Sequence, residues 1–375
     1  MDQPASTTNW QLNLDQAVDR RFEQLVAIRR HMHQHPELSG QEHKTTLYLY
    51  QLLASEGFAV RMGPEGCGVV ADTAEAEAHE RPVIALRADI DALRILDAKQ
   101  TSYRSTCDGV MHACGHDAHS AMVAGALFAL HDAAERQQLP WPVAYRGIFQ
   151  PAEETCEGAR AMVEFGCLER VGAILALHVD PTREAGSVGI RSGVLTANCD
   201  EMRVIITGRG GHAARPHEAI DPIAAAAQFI NALYLLIPRQ TDSQDAVVVT
   251  VGRISGGSVA NVIPEQVELR GTVRTLDPRV RERTFAHIRR IAAGIASTTE
   301  TEIVSDFGNG APSVVNDPAL TELLRREASD VLGPAGVQTI PRASMGSEDF
   351  SYYVQKGTGE MIGLGCAAPG GRRLR

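Results

Sequence analysis

Between Met111 and Met122 the sequence reads MHACGHDAHSAM, which puts His112, Cys114, His116, Asp117 and His119 within one short stretch. Imidazole, thiolate and carboxylate are the side chains that hold zinc, manganese and related divalent ions. The plainer alternative is a polar helix N-terminus beside a buried structural cysteine. Three histidines, a thiol and a carboxylate crowded together favour the metal site. Glu153 and Glu154 follow the strand-like run Val143 to Phe149. Adjacent glutamates can divide labour: one binds a metal, and its neighbour takes a proton from water whose pKa the metal lowers. His178 follows the apolar run AILAL and is a further candidate ligand. For His112 and His119, support from behind the ligands or plain packing is as open a reading as ligation. Asp89 and Asp91, in ADIDALRI, are candidates to orient ligands; the alternative is that they cap a following turn.

The elements that must position these groups read as follows. Asp15 to His33 and Gly40 to Ala54 carry helical periodicity, with Pro36 ending the first. Gly66 to Asp72, Pro82 to Arg87, Val143 to Phe149 and Gly172 to Leu177 are strands. Ala118 to Leu130 is a helix, so the cluster is predicted on the turn that leads into it. Three strand ends then deliver Asp89 with Asp91, Glu153 with Glu154, and His178. In open α/β sheets that is the edge where sites form. Ala74 to Ala78 reads as a solvated loop.

Near Asn198 the pattern changes. Strands at Asp200 to Thr207, Ala246 to Ile254, Gln266 to Thr275 and Thr301 to Phe307 alternate with helices from Asp221-Pro222 to Ile237 and from Arg279 to Ala296. The order β-α-β-β-α-β is a split βαβ unit of ferredoxin-like type. A helix at Pro318 to Leu332, strands near Val337 and at Met361 to Leu364, and the Gly346 to Val354 segment resume the first pattern. The fold class is therefore α/β: a catalytic domain with a mainly parallel or mixed sheet flanked by helices, plus an inserted α+β domain. The domains run 1–197, 198–310 and 311–375, the first and last forming one unit. In the insertion, GRGGHAARPH lacks the Lys-Ser/Thr ending of a phosphate-binding loop and the spacing of a dinucleotide fingerprint. A flexible loop presenting His212 to a reacting carbonyl is the preferred reading. Asn261 and Arg274 are candidate binders of a substrate carboxylate, a task that suits the planar arginine fork.

The 375 residues exceed one ordinary core, and a net charge of −10 argues against nucleic acid or an anionic membrane as partner. No apolar run approaches the roughly 18 residues of a membrane span, and the start MDQPASTTNWQLNLDQ has no signal-peptide pattern. Seven scattered cysteines do not form a disulfide framework, so a reducing cytoplasm is expected.

The segments LRADIDALRI, MHACGHDAHSAM, FQPAEE, ALHVDP, GRGGHAARPHEAIDP, NVIPEQVELRGTVRT and GSEDFSYY, with HMHQHPELSGQE near the start, occur in order over residues 31 to about 353. Together they resemble the metal-dependent amidohydrolases and peptidases that include hippurate hydrolase, N-acyl-amino-acid amidohydrolases and auxin-conjugate hydrolases. The resemblance implies a hydrolase that cleaves the amide bond of N-acyl amino acids by metal-activated water. It implies two divalent metal ions per subunit, manganese or zinc first, with cobalt or nickel as alternatives. Matched by motif, Cys114, His116, Glu154 and His178 look like metal ligands and Glu153 like the general base. His212 looks like the histidine that stabilises the oxyanion, and Asn261 and Arg274 like substrate binders. Asp89 and Asp117 are expected to hold ligands from behind, and the inserted domain to act as a lid and to form a homodimer. Arg94 stands where the family has proline. Family members also continue past the Gly-Leu-Gly strand to one more ligating histidine and a closing helix. This sequence reads GLGCAAPGGRRLR and has no histidine after His287. The expectation drawn is a missing last ligand, with one metal or fewer. The alternative function is then an inactive or weakly active homologue that keeps only dimerisation and ligand binding. A cysteine hydrolase using Cys114 is a third reading; it explains neither the glutamate pair nor His178.

Overall fold

The computed structural model describes residues 9–77, 82–308 and 310–368. The chain divides into two compact units: Met1–Leu195 with Val314–Arg342 and Asp349–Arg375, and Thr196–Ser313 with Ala343–Glu348. The end of the quoted GLGCAAPGGRRLR stretch, from Pro369, and the first eight residues fall outside the described residues. Among the described residues no helix is long and apolar enough to cross a membrane.

The first unit is built on an eight-stranded mixed sheet. Across it the strands run Ala59–Met62, Val69–Asp72, Tyr145–Gln150, Val83–Asp89, Val171–Glu184, Gly359–Ala367, Val188–Ile190 and Val337–Thr339. The four strands from Tyr145–Gln150 to Gly359–Ala367 are parallel to one another. Every residue of Tyr145–Gln150 is buried, as expected of a strand covered on both faces. Arg146 lies within that strand because Asp72 accepts from it at 2.6 Å and the Cys167 carbonyl at 2.7 Å.

On one face, Leu49, Leu53, Phe58, Leu127, Phe128, Tyr145 and Phe149 form one core. On the other, Met162, Ile174, Phe350 and Tyr353 form a second. The helix Asn9–Gln34 packs against the helix His116–Glu135. The two pass closely at Gly125, where a Cβ would lie 2.6 Å from a Leu25 methyl.

Three sequence expectations need correction here. The helix expected from Ala118 begins at His116, so His116, Asp117 and His119 occupy its first turn. Its N-cap is Gly115 at φ 88, not a capping Ser, Thr, Asp or Asn, so the sequence carries no start signal there. His178 sits in the body of the Val171–Glu184 strand, which continues through Pro181. Ala74–Glu77 is a helical turn with Ala76 fully buried; Ala78 is outside the described residues.

The second unit is an antiparallel sheet with strands ordered Val247–Gly256, Gln266–Thr275, Asn198–Thr207 and Glu302–Phe307. Alternate residues Met202, Val204 and Ile206 point into the core. They meet Phe229 and Leu233 of the helix Pro222–Gln240, and Phe285 and Ile288 of the helix Pro278–Thr299. Both helices open on an Asp-Pro pair. Asp221 accepts from the Ile223 and Ala224 amides, and Asp277 from the Arg279 amide, satisfying donors that helix ends leave bare.

Candidate metal centre

The site lies in the first unit, around His116. One group of potential ligand atoms joins Cys114, His116 and His178; another joins His116, Glu153 and Glu154; within each group the atoms lie within 4.8 Å of one another. The tight turn before the helix makes this convergence possible. Gly115 adopts a left-handed conformation, and a Cβ there would lie 2.6 Å from a Val179 methyl. Only glycine lets the turn pass against the His178–Val179 strand.

Hydrogen bonds from behind fix the candidate ligand atoms. His116 Nδ1 donates towards Asp91, whose Oδ1 lies at 3.0 Å. That leaves Nε2 to face the site, the usual way in which a supporting carboxylate sets the ligating nitrogen. Nε2 is 3.8 Å from Glu154 Oε1 and 4.0 Å from Glu153 Oε2. His116 Nε2 and Glu154 Oε1 are both shielded from water, and neither has a hydrogen-bond partner. Burial would lower the His116 pKa, but the Asp89 charge and the Asp91 hydrogen bond outweigh it and hold the imidazole well above its ordinary range. Burial likewise opposes ionisation of Asp89, and His116, His119 and Arg87 overcome it, holding Asp89 well below the usual carboxylate range.

Asp89 is the hub of the supporting shell. It accepts from His119 Nδ1 at 2.7 Å and from Arg87 Nη1 at 2.7 Å. His119 Nε2 in turn accepts the Val179 amide at 2.9 Å. Both His119 nitrogens are thus engaged in holding the strand that bears His178. Arg87 also donates to Gln150 and Asp349, at 2.8 and 3.0 Å. Asp117 accepts from Arg29 and from His33, each at 2.8 Å. His112 is buried, with neither ring nitrogen hydrogen-bonded, and burial lowers its pKa to about 4.

The donor set of thiolate, imidazole and carboxylate fits zinc, manganese and related ions. Two buried, unpartnered donors facing each other at ligand–ligand spacing are what a bound cation would satisfy.

His212, Asn261 and Arg274 belong to the second unit. The expected flexible loop is instead a short strand, Gly211–His212, paired with Val262–Ile263. This pairing brings His212 beside Asn261, whose carbonyl accepts the Ala213 amide at 3.1 Å. Arg274 Nη1 donates to the Met345 carbonyl at 2.9 Å. Sequence reasoning missed Glu42 and Ser39, which hold the glutamate turn and Asp91: Glu42 accepts the Ala152 amide and Ser39 donates to Asp91. Their only signal was the HPELSGQE segment.

A sequence model of peptidase family M20/M25/M40 matches residues 85–372. An N-acetyl-L-cysteine deacetylase of Bacillus subtilis is 41% identical over 88% of this chain and 78% of its own length. An IAA-amino acid hydrolase of Arabidopsis thaliana is 36% identical over 92% of this chain and 77% of its own. Among solved structures, a dinuclear metal-binding M20 peptidase of Bacillus subtilis superposes with a TM-score of 0.75 at 35% identity, covering 94% of this chain and 89% of that one. The similarity runs over nearly all of this chain. With the family match spanning most of its length, the chain belongs to peptidase family M20/M25/M40.

Proposed function

We propose that this protein hydrolyses the amide bond of N-acyl amino acids and similar small conjugates. In this proposal Cys114, His116, Glu154 and His178 hold two divalent ions, manganese or zinc by preference. The observation that carries the reading is the pair of buried, unpartnered atoms, His116 Nε2 and Glu154 Oε1, with the Glu153 carboxylate beside them. The printed activities of the relatives, deacetylation of N-acetylcysteine and hydrolysis of an amino-acid conjugate, support the substrate class.

The ions, when bound, supply acidified water and polarise the amide carbonyl. Glu153 takes the proton of the attacking water and returns it to the leaving nitrogen. His212 donates to the carbonyl oxygen as charge builds on it, and Asn261 and Arg274 receive the amino-acid carboxylate. Asp91 fixes the tautomer of His116, and Asp89 holds the His178 strand through His119.

A homodimer through the second unit is part of the proposal. Its edge strand Val247–Gly256 leaves Val248 and Ile254 exposed, and an unpaired edge is a template for a second copy. A cytoplasmic location suits seven cysteines scattered without the pattern of a disulfide framework.

The test combines elemental analysis of the purified protein with hydrolysis of a panel of N-acetyl and N-benzoyl amino acids. Glu153→Gln should keep the metal and lose turnover by about 10²–10⁴-fold, the usual worth of a positioned base. Normal turnover in that variant refutes the role of Glu153. Activity that survives chelation but not a thiol reagent refutes the metal reading in favour of Cys114.

A further inference from the structure

The turn that carries Glu153 and Glu154 is not held by a regular element of its own. It leaves the Tyr145–Gln150 strand at Pro151, and Ala152 sits at φ 51. Left-handed backbone is uncommon for a residue with a Cβ and costs roughly 1 kcal/mol. Something must stabilise it. The Ala152 amide donates to Glu42 Oε1 at 2.8 Å, across a separation of 110 residues. Glu42 is fully buried at the start of the His43–Ser55 helix. Its other carboxylate oxygen has no hydrogen-bond partner.

We propose that Glu42 is a positioning residue for the general base. By accepting the Ala152 amide it pins Ala152 in the left-handed conformation, and the next residue, Glu153, is thereby aimed at His116. This inference rests on the reading of Glu153 as the base. A neutral acceptor serves equally well at Glu42, since only a carbonyl-type oxygen is used; burial indeed raises the Glu42 pKa. Asp91 pins the other end of the pair by accepting the Glu154 amide at 3.0 Å. The two pins have different jobs, because Asp91 also serves His116 while Glu42 touches neither glutamate side chain nor any proposed ligand in the bonds described. The geometry therefore assigns Glu42 to the position of the base and not to the assembly of the metal site.

Four variants test it in the metal-loaded protein: Glu42→Ala, Glu42→Gln, Ala152→Gly, and the double variant Glu42→Ala with Ala152→Gly. Glu42→Ala should lower kcat by roughly 10–100-fold, the usual effect of removing a supporting partner. KM and metal content should stay unchanged, and exchange of the Ala152 amide hydrogen should accelerate. Glu42→Gln keeps an acceptor oxygen and should keep kcat within a few-fold. Glycine enters the left-handed region without penalty, so Glu42→Ala should cost less kcat in the Ala152→Gly background than in the native one. A Glu42→Ala variant with native kcat overturns the proposal. So does a Glu42→Gln variant as impaired as Glu42→Ala, with the same cost in both backgrounds. Glu153→Gln, measured alongside, separates the two readings. If it retains turnover, the base assignment fails; if it is inactive while Glu42→Ala is native, only the positioning role fails.

Discussion

Glu360 is a buried carboxyl with a pH dependence that can be worked through. It lies on the Gly359–Ala367 strand against the start of the Pro318–Leu332 helix. Its Oε2 is 2.6 Å from the Thr321 hydroxyl, which is itself 2.7 Å from the Asp317 carbonyl. A hydroxyl has one proton to give. A protonated Glu360 resolves the conflict by donating to Thr321, which then donates onward to Asp317. Burial, the main cause, raises the Glu360 pKa to about 7; the nearby Asp317 charge adds to this, while the Thr321 contact and Arg325 oppose it.

The sign follows from linkage. The unfolded carboxyl ionises near its ordinary 4.5 and the folded one near 7. Stability is therefore fully present below about pH 4.5 and is lost as pH rises towards about 7. The gap, at roughly 1.4 kcal/mol per pH unit, comes to about 3 kcal/mol. Glu360→Gln replaces the acid O–H donor by an amide N–H and cannot ionise. Urea unfolding of both proteins at pH 5, 6, 7 and 8 is the assay. The difference between them cancels every other titrating group. It should be about 1 kcal/mol at pH 5 and favour the variant by up to about 3 kcal/mol at pH 8. A difference that does not change with pH refutes the reasoning.

Other residues give further expectations. Arg87 is buried between Asp89 and Asp349, so Arg87→Met should lower the unfolding free energy by about 3–5 kcal/mol, the cost of stranding buried charge; a loss below about 1 kcal/mol by urea titration would show that the pair does not hold charge there. Gly115→Ala meets both a left-handed φ and the Val179 methyl, and elemental analysis should find metal lost while circular dichroism keeps the native helix signal. Asp221→Ala removes an N-cap of the second unit and should cost about 1 kcal/mol with metal content unchanged.

How far the sequence could be read depended on the range of the interactions. The helix Pro318–Leu332 and the strand Gln266–Thr275 were legible to the residue. An Asp-Pro start and a Gly after Leu332 bound the helix, and the strand buries alternate residues Val267 and Leu269. The start of the His116 helix was not legible, because a left-handed glycine took the place of a capping side chain. His178 was assigned to a strand end because the apolar run stops there. Pairing with Gly359–Ala367 continues to Glu184, and a partner nearly two hundred residues away leaves no local mark. The residue types of the candidate site were visible. Which carboxylate supports which ligand was not, since Asp89, Asp91, Asp117 and Glu42 are all alike in sequence.

The same distinction bears on how the site is made. The segment from Ala152 to Ala159 donates three backbone amides to three carboxylates: Ala152 to Glu42, Glu154 to Asp91 and Ala159 to Asp349. These partners lie 110, 63 and 190 residues away. A turn shaped by its own residues could form early and persist in a partly unfolded chain. This one is closed in part by its own bonds, from the Cys156 amide to the Glu153 carbonyl and from the Gly158 amide to the Ala152 carbonyl, but the other three amides are satisfied only when a distant element has docked. The carboxylates also do what a helix or strand ladder would do elsewhere: they consume backbone donors that burial would otherwise leave costly. The position of Glu153 is thus a property of the whole first unit, and changes in the His43–Ser55 helix or around Phe350 reach the site through backbone hydrogen bonds without touching a proposed ligand.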